Sequence, residues 1–199
     1  MMLRWTDGWL MVLALLLVVL PGWTATPEEV AEQATLLKDA DAAVRVKAAT
    51  TLGEFKNLRG VTPLTTALKE DTDAGVRREC VKSLVLIGDK MAISPLCTAL
   101  KEDADVEVRK EAARGLAVFK DSRMLAPLTE ALAAEDAGVR LEAIRALGVI
   151  KDSRALEPLT SALKDTEAAN RVEAVKALAG VRDPGMVAAL AVIVADEDV

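Results

Sequence analysis

Few residues in this chain are of a type that could do chemistry. Histidine is absent from all 199 residues. Its absence removes the commonest metal ligand and general base, and with them Ser-His-Asp, Cys-His and His-rich metal arrangements. No P-loop and no G-x-G-x-x-G stretch is present to cradle phosphates. Adjacent acids such as Glu102 and Asp103 recur at fixed turn positions, where solvated helix caps explain them better than a glycosidase pair. The two cysteines are Cys80 and Cys97. A disulfide between them would clamp two helices in an oxidising compartment. The alternative is two small packed thiols, which the core placement of Cys80 favours. The chain therefore reads as a non-enzyme, with no metal and no cofactor.

The elements that must position these residues come from an internal repeat. Arg45, Arg77, Arg109, Arg140 and Arg171 recur at 31–32-residue spacing. Four residues before each stands an acid: Asp41, Asp73, Asp105, Asp136 or Glu167. Seven after comes Leu52, Leu84, Leu116, Leu147 or Leu178, and twelve after comes Asn57, Asp89, Asp121, Asp152 or Asp183. Pro63, Pro95, Pro127 and Pro158 follow in four copies, with Ala189 in the fifth. A fixed period of this size signals a solenoid.

Each unit reads as two helices joined by a turn. Helix A starts at the acid, which can cap free N–H groups. In the third copy Val108, Ala112, Ala113, Leu116 and Phe119 follow helical spacing and predict a buried stripe. Lys56, Lys120, Lys151 and Arg182 fall near the ends of their A helices, where positive charge is favoured. The residue equivalent to Asp121 makes the turn. Helix B then buries Leu125, Leu128, Ala131 and Leu132, or Leu156, Leu159, Ala162 and Leu163 one unit on. The proline lies too far inside for the first helical position, so the spacing predicts a tight turn, then a kink or a fresh start. The acids and arginines are read as structural, the arginines tying adjacent units through carboxylates and free carbonyls. Asn170 replaces Val in the fifth copy and is expected to loosen it.

The pattern D-x-x-V-R, the Ala/Leu helix and the Asp-turn-x-Pro-Leu helix closely resemble HEAT-like repeats of the short type found in phycobiliprotein lyases. The resemblance covers about 39–195. It implies an all-α fold, a right-handed α-solenoid of about five HEAT-like helix pairs with an N-terminal capping helix. The repeat domain is 26–199, with a cap at 27–38 and repeats near 39–70, 71–102, 103–134, 135–164 and 165–195. Deoxyhypusine hydroxylases share such units, but their His-Glu iron motifs have no counterpart here. DNA glycosylases on related helices need a basic, aromatic-lined groove. With a net charge of −6 and 3% aromatic residues, this chain offers none, and no nucleic-acid partner is expected.

Residues 1–25 stand outside the repeat. Arg4 precedes an apolar run, Trp9 to Leu20, that a Pro-Gly break follows. Twelve residues make about 18 Å of helix, short of a bilayer core of about 30 Å. The expectation is a signal peptide cleaved after Ala25, and an exported, periplasmic or secreted protein. The alternative is an uncleaved membrane anchor through residues 9–20.

Binding surfaces follow from the same registers. Opposite its core, helix B displays Thr62, Thr66 and Lys69; Ser94, Thr98 and Lys101; Glu130; then Glu157, Ser161 and Lys164. The resemblance implies that B helices line the concave side, where small polar groups and periodic lysines could cradle a peptide or helix. The last helix, 186–195, carries Ala188 and Val192 at matching positions and is apolar nearly all round. That predicts an end-to-end contact, with a second copy or with another protein. The functional expectation is a non-catalytic, exported scaffold that binds a protein or peptide through the B-helix face and the C-terminal helix. The alternatives are a bilin lyase or chaperone subunit, which the resemblance brings, and a membrane-tethered structural module.

Overall fold

The computed structural model describes residues 25–181. Within them the chain forms α1 (Pro27–Leu36), then α2 (Ala42–Phe55), α3 (Val61–Glu70), α4 (Ala74–Ile87), α5 (Ile93–Glu102), α6 (Val106–Leu116), α7 (Leu125–Ala131), α8 (Ala137–Ile150), α9 (Leu156–Ala162) and α10 (Ala168–Gly180). No strand occurs among the described residues. The A helices α2, α4, α6, α8 and α10 form one layer and the B helices α3, α5, α7 and α9 the other. Each A helix packs on the A helices beside it, and each B helix packs on the A helix that follows. This is an all-α solenoid, with the core between the layers.

Each unit opens on an aspartate cap. The carboxylates of Asp41, Asp73, Asp105 and Asp136 accept from backbone N–H groups of the first turn, as in Asp41 from Ala43 at 2.8 Å and Asp136 from Val139 at 2.9 Å. Glu167 makes no such bond. Val108, Ala112, Ala113 and Leu116 are fully buried as the spacing predicts, whereas Phe119 lies beyond the end of α6 and is half-buried. Lys56 and Lys151 close their A helices with left-handed backbone, at φ 48° and 55°, where the second copy has Gly88 at φ 73°; Lys120, at φ 49°, lies beyond the end of α6.

A short 3-10 turn separates the helices of a unit, at Leu58–Gly60, Lys90–Ala92, Ser122–Met124 and Ser153–Ala155. Asn57, Asp89, Asp121 and Asp152 cap these turns, each side chain accepting from the amide two residues on. The B helix starts two residues before its proline, so that Pro63, Pro95, Pro127 and Pro158 occupy the first turn. There an α-helical N–H lacks a partner anyway, and the proline costs no hydrogen bond.

The entry to the solenoid is capped by α1. Thr26 and Glu29 form a reciprocal box, the Thr26 amide donating to Glu29 at 2.7 Å and the Glu29 amide to the Thr26 hydroxyl at 3.2 Å. Asn57 donates to the Ala25 carbonyl at 3.1 Å and ties this entry to the first unit. At the other end Asn170 is buried, and its amide donates to the Ala137 carbonyl at 3.1 Å and to Asp165 at 3.2 Å. It fastens the fifth unit to the fourth rather than loosening it, because both amide hydrogens find acceptors.

Candidate functional site

The arginine of helix A governs how successive units join. The Arg45 guanidinium grips Asp71 through Nε and Nη2, at 2.7 and 2.9 Å. Arg77 grips Asp103 at 2.8 Å through both nitrogens, and Arg140 grips Asp165 at 2.8 and 2.9 Å. In each case Nη1 donates to the two carbonyls that precede the cap, such as those of Asp39 and Ala40. The same aspartate accepts the amide of the following cap residue, as Asp71 does from Asp73 at 2.9 Å. Burial alone would raise the Asp71 and Asp103 carboxyls, but the arginine and the amide hold both below the usual carboxylate range. Arg140, the Glu167 amide and Asn170 hold Asp165 down at about 2, against its burial. These forks are charge-assisted and bidentate, the strong kind of hydrogen bond.

Arg109 departs from its sisters. Its Nη1 donates to the carbonyls of Asp103 and Ala104 at 2.7 and 3.1 Å, as the others do. The position that would supply the carboxylate, two residues before the next cap, is Ala134.

Pockets follow one another between successive helices of the B layer. The first, about 700 Å³, lies between α1 and α3 and includes Thr66. Lys69 and Thr98 share the next, about 630 Å³, between α3 and α5. Lys101 and Glu130 share one of about 380 Å³ between α5 and α7, where they form an ion pair at 2.8 Å. Ser161 and Lys164 line one of about 560 Å³ between α7 and α9. Glu157 is exposed on α9 and lines none of these pockets; its carbonyl accepts from the Ser161 hydroxyl at 3.2 Å. Ala188 and Val192, helix 186–195 and the leader at 1–24 lie outside the described residues. Arg45, Arg109 and Arg140 also border these pockets, which the reading of arginines as internal ties did not anticipate. The signal was present in the one unit where Ala134 replaces the partner acid.

Cys80 and Cys97 are both free thiols, with no disulfide between them. Cys80 takes the place of a core alanine, is fully buried and feels Asp71 and Glu79, whereas Cys97 is half-buried on the flank and feels Arg123. Burial pushes Cys80 up to about 12 and Cys97 up to about 11, so both are protonated at neutral pH and poor nucleophiles. Among the described residues, no cluster of three or more Cys, Asp or Glu is arranged to hold a metal, and no helix is long and apolar enough to cross a membrane.

The family model for HEAT repeats matches residues 32–117 and 93–169, which together span more than half of the chain. The chain belongs to the HEAT-repeat family. Among solved structures, this HEAT-repeat chain is similar to the complex of CpcE and CpcF of phycocyanin lyase from Nostoc sp. PCC7120, at 22% identity and TM-score 0.67, covering 91% of this chain and 74% of that one. A designed armadillo repeat protein in complex with the peptide (KR)4 is 23% identical with TM-score 0.61, covering 84% of this chain and 88% of its own. An engineered protein is 26% identical with TM-score 0.60, covering 87% and 89%. No curated protein matches.

Proposed function

We propose that this HEAT-repeat chain is a non-catalytic, exported scaffold that holds a segment of a protein partner along its B-helix face. The observation that carries the reading is the run of pockets between successive B-layer helices, lined by Thr66, Lys69, Thr98, Lys101, Glu130, Ser161 and Lys164. Packed helices stand about 10 Å apart, the advance of roughly three residues of an extended chain. A peptide with an anchor at every third residue therefore keeps step with the units. Threonine and serine hydroxyls supply adaptable hydrogen bonds, and the lysines supply charge at intervals. The designed armadillo repeat protein in complex with the peptide (KR)4 is a repeat protein with a bound peptide, and it supports this mode.

The test is a pull-down from the native envelope that compares wild type with Thr98→Arg plus Ser161→Arg. Both positions are exposed, so the fold survives substitution. Loss of a captured partner in the variant is expected, and an unchanged partner list excludes these positions. The likeness to the phycocyanin lyase complex favours a second reading, a bilin lyase or chaperone subunit, which a bilin absorbance change on mixing would support. The leader bears on location. An intact mass starting at Thr26 supports export with cleavage, and the full-length mass supports a membrane-tethered module. For the C-terminal contact through 186–195, light scattering that shows wild type monomeric at high concentration removes self-association.

A further inference from the structure

The joint between the third and fourth units has every part of the arginine fork except its acid. Nη1 of Arg109 is pinned by two carbonyls at 2.7 and 3.1 Å, the arrangement that aims Arg45, Arg77 and Arg140 at their aspartates. In those three copies Nε and Nη2 meet a carboxylate at 2.7–2.9 Å. Among the described residues, nothing within hydrogen-bond or ion-pair distance meets Nε and Nη2 of Arg109. Every buried side-chain nitrogen and oxygen among them has a partner, so this edge of the fork is open to solvent.

Arg109 borders the pocket of about 380 Å³ between α5 and α7. Leu100, Pro127, Ala131, Ala134 and Val139 give it apolar walls, with the Lys101–Glu130 pair alongside. Glu135 also borders the pocket, but it is exposed and forms no ion pair with Arg109. Its backbone serves the next unit, the carbonyl accepting from Arg140 at 2.9 Å.

We propose that this pocket is a carboxylate-binding site, in which an acidic group of the partner completes the Arg109 fork as Asp71, Asp103 and Asp165 complete the others. The site rests on the reading of the B-helix face as the partner face and gives that partner a chemistry. Two donors share it, an Asp or Glu side chain and a C-terminal carboxylate. The guanidinium is already oriented, so a ligand gains a bidentate, charge-assisted pair without first ordering the arginine.

Three acetylated serine–glycine pentapeptides test it on the full chain: one with an internal aspartate and an amidated end, one with a free C-terminal carboxylate and no aspartate, and one amidated with no acid. Binding is followed by the Arg109 Nε–H resonance. At least one acidic peptide is expected to bind about tenfold more tightly than the acid-free one, the scale of a charged hydrogen-bonded pair, and which one it is identifies the source. Ala134→Asp supplies the missing acid from within. It is expected to raise Tm and to abolish the preference, while Glu135→Gln strengthens binding of the acidic peptide.

Equal binding of all three peptides, no binding of any, or a preference that survives Ala134→Asp overturns the site. So does a Glu135→Gln variant whose Arg109 resonance moves in the ligand-free protein, because Glu135 would then fill the fork. Failure of the wider reading looks different. An acidic preference that persists while Thr98→Arg plus Ser161→Arg leaves the native partner list unchanged keeps the site and removes the groove. Acid-free binding that this double variant abolishes keeps the groove and removes the site.

Discussion

Aspartate does three separate jobs in a unit, and its short side chain suits all of them. Asp71, Asp103 and Asp165 accept the amide two residues on while holding the arginine of the preceding unit. Asp73, Asp105 and Asp136 cap the A helix, and Asp89, Asp121 and Asp152 cap the 3-10 turn. Each bond closes a local ring that a longer acid does not close in the same way, and Glu167 loses its cap bond accordingly. Lysine is used less well. Lys151 closes α8 with φ 55°, in the region where a side chain costs about 1–2 kcal/mol. It is exposed and forms no ion pair among the described residues. Lys151→Gly is therefore expected to stabilise the chain by about 0.5–1 kcal/mol, less than the full strain because glycine is freer when unfolded. On a chain of this size that raises Tm by about 1–4 °C in a calorimetric scan. An unchanged or lower Tm would mean that the left-handed turn stores no strain.

At the scale of elements, close approach of A helices depends on what is missing. A Cβ built on Gly148 would lie 2.7 Å from the Cβ and 2.9 Å from the Cα of Ala177 on α10. Alanine is the better helix former by about 1 kcal/mol. Relieving that contact, however, means moving backbone, and overpacking costs about 1–3 kcal/mol. Gly148→Ala is expected to lower stability by about 1 kcal/mol in urea unfolding, and a gain would show that α8 and α10 can separate freely. The periodicity of Val108, Ala112, Ala113 and Leu116 made the A helices and their buried face legible in the sequence, as did the aspartate caps. The outward face of the B helices follows from the same periodicity, and of the ten residues named on it in the described region eight border pockets, all but Ser94 and Glu157. Three features were not. The left-handed lysines give no compositional sign, because lysine at a helix end already suits the dipole. The start of the B helix two residues before its proline needs the 3-10 turn to be seen. Asn170 looked like a lost valine because its acceptors lie on other segments, one of them on α8. The shortening of α7 and α9 to seven residues, against ten in α3 and α5, follows the drop in spacing from 32 to 31 residues.

For the whole molecule, the arginine forks make stability a property of joints. Among the described residues three of them span successive units, and in each the arginine and aspartate side chains keep only 13% and 6% of their exposure. The joint after the third unit has no fork of its own, so at neutral pH it is held by packing and by the Arg114–Glu142 pair at 3.2 Å, whose arginine is exposed, where its neighbours are also latched. Acid should erase that distinction. The carboxyls of Asp71 and Asp103 lie below their ordinary value and that of Asp165 lies at about 2, whereas an unfolded aspartate titrates near about 3.9. Between those values the unfolded chain binds more protons than the folded one, and stability rises with pH. The latches contribute fully above about pH 5 and are lost as pH falls through about 2, below which folded and unfolded forms are protonated alike. Urea midpoints should therefore stay level from neutral pH to about 5 and then fall. Asp165→Asn should cost about 2 kcal/mol at pH 7, the scale of a hydrogen bond to a charged group, and its deficit should shrink toward zero as pH approaches 2. A deficit that stays constant across this range would mean that Asp165 acts by shape and not by charge.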